Sequence, residues 1–178
     1  MKNRENRAMT VVNLAHGASG SATSMAPHVE GLKKRGIEAR AIQLPVRKAE
    51  EAIGAYRDQA PELANEVIGG HSYGGRVASL LSAETPPRGL VLLSYPLHRP
   101  GQPEGTSRVP HWPRITCPVL LLSGESDAFA RIDLLREAVK LLPNAELVTY
   151  PRLGHGMGKM LDDALDRIAA FVRALPGS

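Results

Sequence analysis

The sequence has few of the residues that stabilise small secreted proteins or hold proteins in membranes. It contains a single cysteine, Cys117, among 178 residues, so no disulfide can form within the chain. No apolar run approaches the roughly 18 residues that a membrane-spanning helix needs. We therefore expect no membrane association, and the lone thiol fits a reducing compartment, with the cytoplasm as the expected location.

Aromatic residues are also scarce, at 4% of the chain, although 43% of the residues are hydrophobic. A core must therefore be built from leucine, valine, isoleucine and alanine. The chain shows no internal repeat and no low-complexity tract, which excludes a solenoid or a linker-rich architecture. We expect residues 1–8, which are charged, to form a frayed tail and residues 9–178 to form a single domain.

The net charge of +4 is not accompanied by a nucleic-acid-binding motif. Basic residues are scattered along the sequence. The densest run is 33–35, at the end of a predicted helix, where the helix dipole favours cations. Nucleic acid is therefore not an expected partner.

Short apolar runs alternate with helical patterns along the chain. Strands are predicted at 10–15, 39–44, 66–69, 89–93, 118–122 and 145–150. Helices are predicted from a Ser24 N-cap to 35, over 58–65, after the third strand to 84, and over 131–142 and 158–175. Nearly all-apolar strands that alternate with helices indicate an α/β fold, a three-layer α/β/α sandwich with a six-stranded, mostly parallel sheet.

The pattern Gly-x-Ser-x-Gly occurs at Gly70, Ser72 and Gly74. An apolar strand precedes it, and helical spacing of apolar residues follows it. Strand, tight turn and helix are the context of a nucleophile elbow, in which glycines make room around a strained serine. The start of the following helix also favours a developing negative charge.

Three further polar loops follow predicted strands, and in a parallel sheet such loops meet at one edge, where ligands bind. They are His16-Gly17-Ala18-Ser19-Gly20, Ser123-Gly124-Glu125-Ser126-Asp127 and Pro151-Arg152-Leu153-Gly154-His155-Gly156. Together with Ser72 they bring a serine, an aspartate and a histidine to the same edge. That set of side chains is typical of nucleophilic acyl-transfer chemistry.

These motifs resemble the α/β-hydrolase family over nearly the whole chain. The chain order Ser72, Asp127, His155 is the family's order of nucleophile, acid and base. The His-Gly-Ala-x-Gly loop is similar to that of small, dienelactone-hydrolase-like serine hydrolases. The resemblance implies a minimal member that lacks the family's first two strands and its cap, with only the Pro-rich segment 94–113 in the position of a lid.

The resemblance also implies the role of each group. Ser72 would be the nucleophile, His155 its base, and Asp127 the acid that orients the histidine, with Glu125 and Asp133 as rival carboxylates. The oxyanion hole would use the backbone N–H of Tyr73 and a second N–H from the His-Gly loop. That second donor would be Ala18 or Gly17, and His16 would shape the loop.

Several other side chains could contact a substrate. Trp112 and Leu97 could form an apolar wall of the pocket, with Tyr95, Met157 and Gly17 as further contacts. The aromatic and apolar members of this set could equally pack the Pro-rich segment down.

No metal and no cofactor are expected, because the spacing of His98 and His111 matches no metal motif. Cys117 is expected to be a buried structural thiol.

The predicted function is therefore that of a cofactor-independent serine hydrolase, with a small carboxylic ester or thioester as its substrate and partner. The short Pro-rich segment predicts an open cleft that favours small acyl groups. The alternatives are a non-catalytic binding or scaffold protein with this fold, and a peptidase or lactonase that uses the same three side chains.

Overall fold

A twisted, wholly parallel sheet forms the centre of the computed structural model, which describes residues 9–104 and 108–177. Its strands are β1 (Val11–Ala15), β2 (Glu38–Ile42), β3 (Val67–His71), β4 (Gly89–Leu93), β5 (Val119–Gly124) and β6 (Ala145–Tyr150). They lie in the order β2-β1-β3-β4-β5-β6, and no antiparallel strand occurs among the described residues. The central strands are buried on both faces, which explains their almost continuous apolar sequences.

Helices cover both faces of this sheet. They are α1 (Ala26–Lys34), α2 (Ile53–Gln59), α3 (Tyr73–Glu84), α4 (Ile132–Ala138) and α5 (Leu161–Ala174). One hydrophobic cluster joins α1 and α5 to one face, and a second joins α2, α3 and α4 to the other. The predicted three-layer α/β/α sandwich is therefore confirmed, with a sheet that is parallel throughout the described residues.

The predicted helix at 58–65 is wrong. The helix in this region is α2, Ile53–Gln59, and only a short 3-10 turn covers Leu63–Asn65. Ala52, Tyr56 and Ala60 are fully buried and four residues apart, so they place one face of this segment against the core. Turn-like neighbours on both sides hid this spacing in the sequence.

The start of α1 also differs from the prediction. Ser24 lies in a short 3-10 turn, Ala22–Met25, where its hydroxyl donates to the carbonyl of Ser21. Met25 is the residue at the N-cap of α1. The left-handed backbone of Gly36, at φ 74°, follows the helix, which is the conformation glycine often adopts just after a helix.

The described part of the Pro-rich segment 94–113 packs against α3. The rings of Tyr95 and Trp112 meet edge to face, with centroids 4.9 Å apart. Nε2 of His111 lies 2.8 Å from the Ser79 hydroxyl on α3. This segment therefore forms part of the core beside the sheet edge.

Two of the sequence predictions fall partly outside the described residues. The predicted frayed tail, residues 1–8, lies outside them, as does 105–107 within the Pro-rich segment. None of the helices within 9–104 and 108–177 is long and apolar enough to cross a membrane.

Candidate active site

Ser72 occupies the sharp turn between β3 and α3. Its backbone has φ 50° and ψ −113°, a conformation that is unfavourable for a residue with a side chain. The surrounding strand and helix hold it there, and its hydroxyl faces a cavity above the sheet edge. The turn thus has the strain that a nucleophile elbow requires.

The two motif glycines are needed because the end of β1 lies against this turn. A Cβ atom on Gly70 would lie 2.5 Å from the carbonyl oxygen of Ala15. A Cβ atom on Gly74 would lie at the same distance from that same oxygen. Since these contacts are to backbone, no side-chain movement could relieve them, and only glycine fits at either position.

His155 lies between a serine and a carboxylate. Its Nε2 atom is 2.8 Å from the Ser72 hydroxyl oxygen. Its Nδ1 atom is 2.9 Å from each carboxylate oxygen of Asp127. With the proton on Nδ1, the ring donates to Asp127 and accepts the hydrogen of Ser72, which is the tautomer that a general base needs.

The rival carboxylates are bound elsewhere. Glu125 accepts hydrogen bonds from Arg136 and Thr149, and Asp133 forms an ion pair with Arg131. The carboxylate of Asp127 is fully buried. Only Asp127 of the three acidic candidates contacts the imidazole.

Two residues that the sequence analysis did not single out hold this histidine in place. His71 donates from Nε2 to the backbone carbonyl of His155, at 2.9 Å. Burial lowers the pKa of His71, which favours its neutral form. The ring of Phe129 lies 4.3 Å from the imidazole, and the Phe129 N–H donates to Asp127. The sequence feature that could have identified His71 and Phe129 is their position, since each lies within two residues of a proposed catalytic residue.

The His-Gly loop after β1 lies beside the elbow. His16 donates from Nδ1 to the carbonyl of Gly17, at 2.7 Å, and accepts at Nε2 from the backbone N–H of Leu44. These bonds give His16 a structural role and fix the loop. Ala18 lines the same cavity as Ser72 and Tyr73. The first N–H groups of a helix have no partner within the helix, so that of Tyr73 can serve an anion.

The family assignment follows from this fold together with a sequence match. The alpha/beta hydrolase domain family matches residues 8–166. The chain belongs to the α/β-hydrolase family.

A known protein also matches a shorter stretch of the chain. Non-heme chloroperoxidase from Burkholderia pyrrocinia is 44% identical over 62 residues, which make up 34% of this chain and 22% of that protein. The match therefore spans less than a quarter of that relative's length.

Solved structures show the shared fold at low sequence identity. Est1E from Butyrivibrio proteoclasticus, in a structure with ferulic acid bound, has a TM-score of 0.79 at 17% identity and covers 100% of this chain and 94% of its own. The monoacylglycerol lipase of Paleococcus ferrophilus has a TM-score of 0.77 at 16% identity, and the match covers 91% of this chain and 93% of the lipase.

The cavity above Ser72 in this α/β hydrolase has a volume of about 400 Å³. Its apolar lining includes Ala18, Pro96 and Phe129. A cavity of this size can hold a small organic substrate.

The expected apolar contacts lie elsewhere. Tyr95, Leu97 and Trp112 are at most 1% exposed, and Met157 is 3% exposed. None of the four lines the cavity, because they pack the Pro-rich segment and the last loop against the core. Gly17 lies next to the His71 ring, where an added Cβ would be 3.0 Å from Nδ1.

Three other reactive side chains, His98, His111 and Cys117, are buried and lie outside the cavity. His98 accepts at Nε2 from the backbone N–H of Arg131, while His111 contacts Ser79. Among residues 9–104 and 108–177, no group of three or more His, Cys, Asp or Glu side chains could hold a metal ion. Burial raises the pKa of the Cys117 thiol to about 12, so this group is a poor nucleophile.

Proposed function

We propose that this α/β hydrolase is a serine hydrolase that cleaves a small carboxylic ester or thioester through an acyl-enzyme intermediate. One observation carries the proposal. A single imidazole lies 2.8 Å from the Ser72 hydroxyl on one side and 2.9 Å from a buried carboxylate on the other. A serine hydroxyl becomes a useful nucleophile only when such a base is placed to take its proton.

In the first half of the reaction, Ser72 Oγ forms a bond to the carbonyl carbon while its proton passes to Nε2 of His155. The carbonyl π electrons move onto oxygen, which the N–H groups of Tyr73 and Ala18 would stabilise. Each such donor contributes about 3 kcal/mol to the transition state. The tetrahedral species collapses, the bond to the leaving oxygen or sulfur breaks, and His155 returns the proton to that atom.

In the second half, a water molecule attacks the acyl-serine. His155 takes a proton from this water as its oxygen bonds to the acyl carbon. The bond from that carbon to Ser72 Oγ then breaks, and His155 protonates the serine. Asp127 stabilises the imidazolium in both halves without itself taking the proton.

The expected substrates are small. The site is open to solvent, since the His155 side chain is 25% exposed and Ser72 is only partly buried. An acyl chain would therefore not be enclosed along its length. We expect activity to be highest with short acyl chains, and a chain-length series that peaks at long chains would contradict this expectation.

Replacement of the proposed nucleophile tests the function directly. Ser72→Ala should abolish hydrolysis of a short-chain p-nitrophenyl ester and labelling by a fluorophosphonate probe. Ser126→Ala is the matched control, because this serine is exposed and only its backbone N–H is bonded, to Leu153. Undiminished hydrolysis by the Ser72 variant would end the proposal, and wild-type protein that neither hydrolyses nor labels would favour the scaffold alternative.

A further inference from the structure

Cationic side chains surround the cavity above Ser72. They come from four separate parts of the chain: Arg47, Lys48, Arg76, Arg99 and Arg108. Glu50 is the only acidic residue in the same lining. Five of the 22 basic residues, spread over positions 47 to 108 of the sequence, thus line one cavity at the proposed site of reaction.

The lining has a net charge of +4, from five cations and one anion. The chain has 22 basic and 18 acidic residues. Without the five cations and one anion of this lining, 17 of each would remain. The lining is therefore as positively charged as the whole chain, while the other charged residues, four of which lie in 1–8 outside the described residues, sum to zero.

Most of these cations have no acidic partner within the lining. Within the described residues, the only ion pair in the lining joins Arg76 to Glu50, at 2.5 Å. The buried Nε of Arg76 has no hydrogen-bond partner among the residues that the structure describes. Burial, together with the positive charges of Arg76 and Arg99, lowers the pKa of Arg108. These groups are therefore close enough to repel one another, and a bound anion would relieve that repulsion.

The positive lining also continues beyond the first cavity. A neighbouring cavity of about 230 Å³ shares Glu50, Arg76 and Arg108 with it and adds Arg114. Because they share three lining residues, the two cavities lie side by side next to α3. A ligand that reaches Ser72 can therefore extend into a second positively charged space.

We propose that the natural substrate is an ester or thioester that carries an anionic group, a carboxylate or a phosphate, bound by Arg76, Arg99 and Arg108. This inference rests on the proposed serine-hydrolase function. The arrangement fits the chemistry, because an anion near Ser72 would otherwise repel the negative charge that develops on the carbonyl oxygen. Cations in the lining offset this repulsion, and they raise the local concentration of an anionic substrate.

Two matched pairs of substrates test the proposal. The monoester p-nitrophenyl adipate, compared with p-nitrophenyl hexanoate, places the charge on the acyl side. The pair p-acetoxybenzoate and p-acetoxybenzamide places it on the leaving group. We expect kcat/KM to be at least about tenfold higher for the anion in one of the two pairs, and this preference to fall as salt is added.

Variants connect the preference to the proposed residues. Arg99→Gln combined with Arg108→Gln should reduce the preference for the anion, measured as the ratio of kcat/KM within each pair, to about threefold or less. Arg57→Gln is the matched control, because Arg57 lies outside both cavities and pairs with Glu84. Equal or better turnover of the neutral member in both pairs would overturn the proposal while leaving the serine-hydrolase function intact.

A binding measurement keeps the two proposals separate. Calorimetric titration of the Ser72→Ala protein with adipate, and separately with inorganic phosphate, requires no turnover. Salt-sensitive binding of either anion that is lost in the Arg99/Arg108 double variant supports the inference and tells carboxylate from phosphate. Absence of binding to both would refute it, whether or not the wild-type protein hydrolyses esters.

Discussion

Asp127→Asn would test the contribution of the buried carboxylate. The change is nearly isosteric, and its remaining carbonyl oxygen can still accept the Phe129 N–H that now bonds to Oδ1. The negative charge beside the imidazole is lost. An amide NH₂ group that faces Nδ1 would also favour the tautomer with its proton on Nε2, which cannot accept the hydrogen of Ser72.

The size of the effect follows from the geometry. Two unit charges about 4 Å apart interact by about 4 kcal/mol at an effective dielectric constant of about 20. This value suits a carboxylate that is fully buried next to an imidazole that is 25% exposed. Since about 1.4 kcal/mol corresponds to tenfold in rate, loss of this interaction alone lowers kcat by about 10³-fold. The unfavourable tautomer brings the expected loss to between about 10³-fold and 10⁴-fold.

Steady-state hydrolysis of a p-nitrophenyl ester measures the loss, and thermal unfolding checks that the variant is folded. Glu125→Gln is the matched control, because Glu125 lies two residues earlier and pairs with Arg136 and Thr149 rather than with the histidine. It should retain activity within about threefold, as expected for a partly exposed ion pair. A loss of less than tenfold in the Asp127 variant, or an equal loss in the control, would refute the assigned role.

Two predictions concern stability. Tyr56→Phe should lower the free energy of unfolding by about 2–3 kcal/mol in a urea titration, because the buried hydroxyl accepts from Gly69 N–H and contacts the carbonyls of Asn13 and Gly69. A change below about 0.5 kcal/mol would contradict this. Burial, reinforced by His71, lowers the pKa of His28 to about 4. Because the folded protein resists protonation of this histidine, its contribution to stability is present above the unfolded pKa of about 6.5 and is lost as the pH falls towards 4. The free energy of unfolding should therefore fall by about 2 kcal/mol less in His28→Leu than in the wild type between pH 7 and pH 4.5. Unchanged acid sensitivity would count against it.

The strands could be predicted because their signals are local. Gly89–Leu93 and Ala145–Tyr150 have the bounds that the sequence predicted, since each is a short apolar run between turn-forming residues. The segment 46–65 has no continuous apolar run between its turn-forming residues, and α2 was placed five residues too late. Its position depends on Tyr56, whose hydroxyl bonds to backbone groups of two strands. That contact exists only after the sheet has formed.

The site divides in the same way. Gly70, Ser72 and Gly74 predict an elbow from sequence, because they form one short motif between an apolar strand and a helix. The contact that excludes a Cβ at both glycines, with Ala15 of β1, appears only in the folded chain. The sequence left open whether Tyr95 and Trp112 contact a substrate or pack the Pro-rich segment down, since hydrophobic residues in a loop can face a pocket or the core with the same sequence. Here the packing against α3 decided in favour of the core.

The sequence alone determined the alternation of strands and helices, the strained serine turn and the order of the three polar side chains. The first two depend on residues a few positions apart, and the third is simply their order along the chain. Only the tertiary structure decided that Asp127 rather than Glu125 contacts His155, and that cations from positions 47, 48, 76, 99 and 108 share one cavity. Charge acts through space, so its effect at the site depends on where the folded loops bring these side chains.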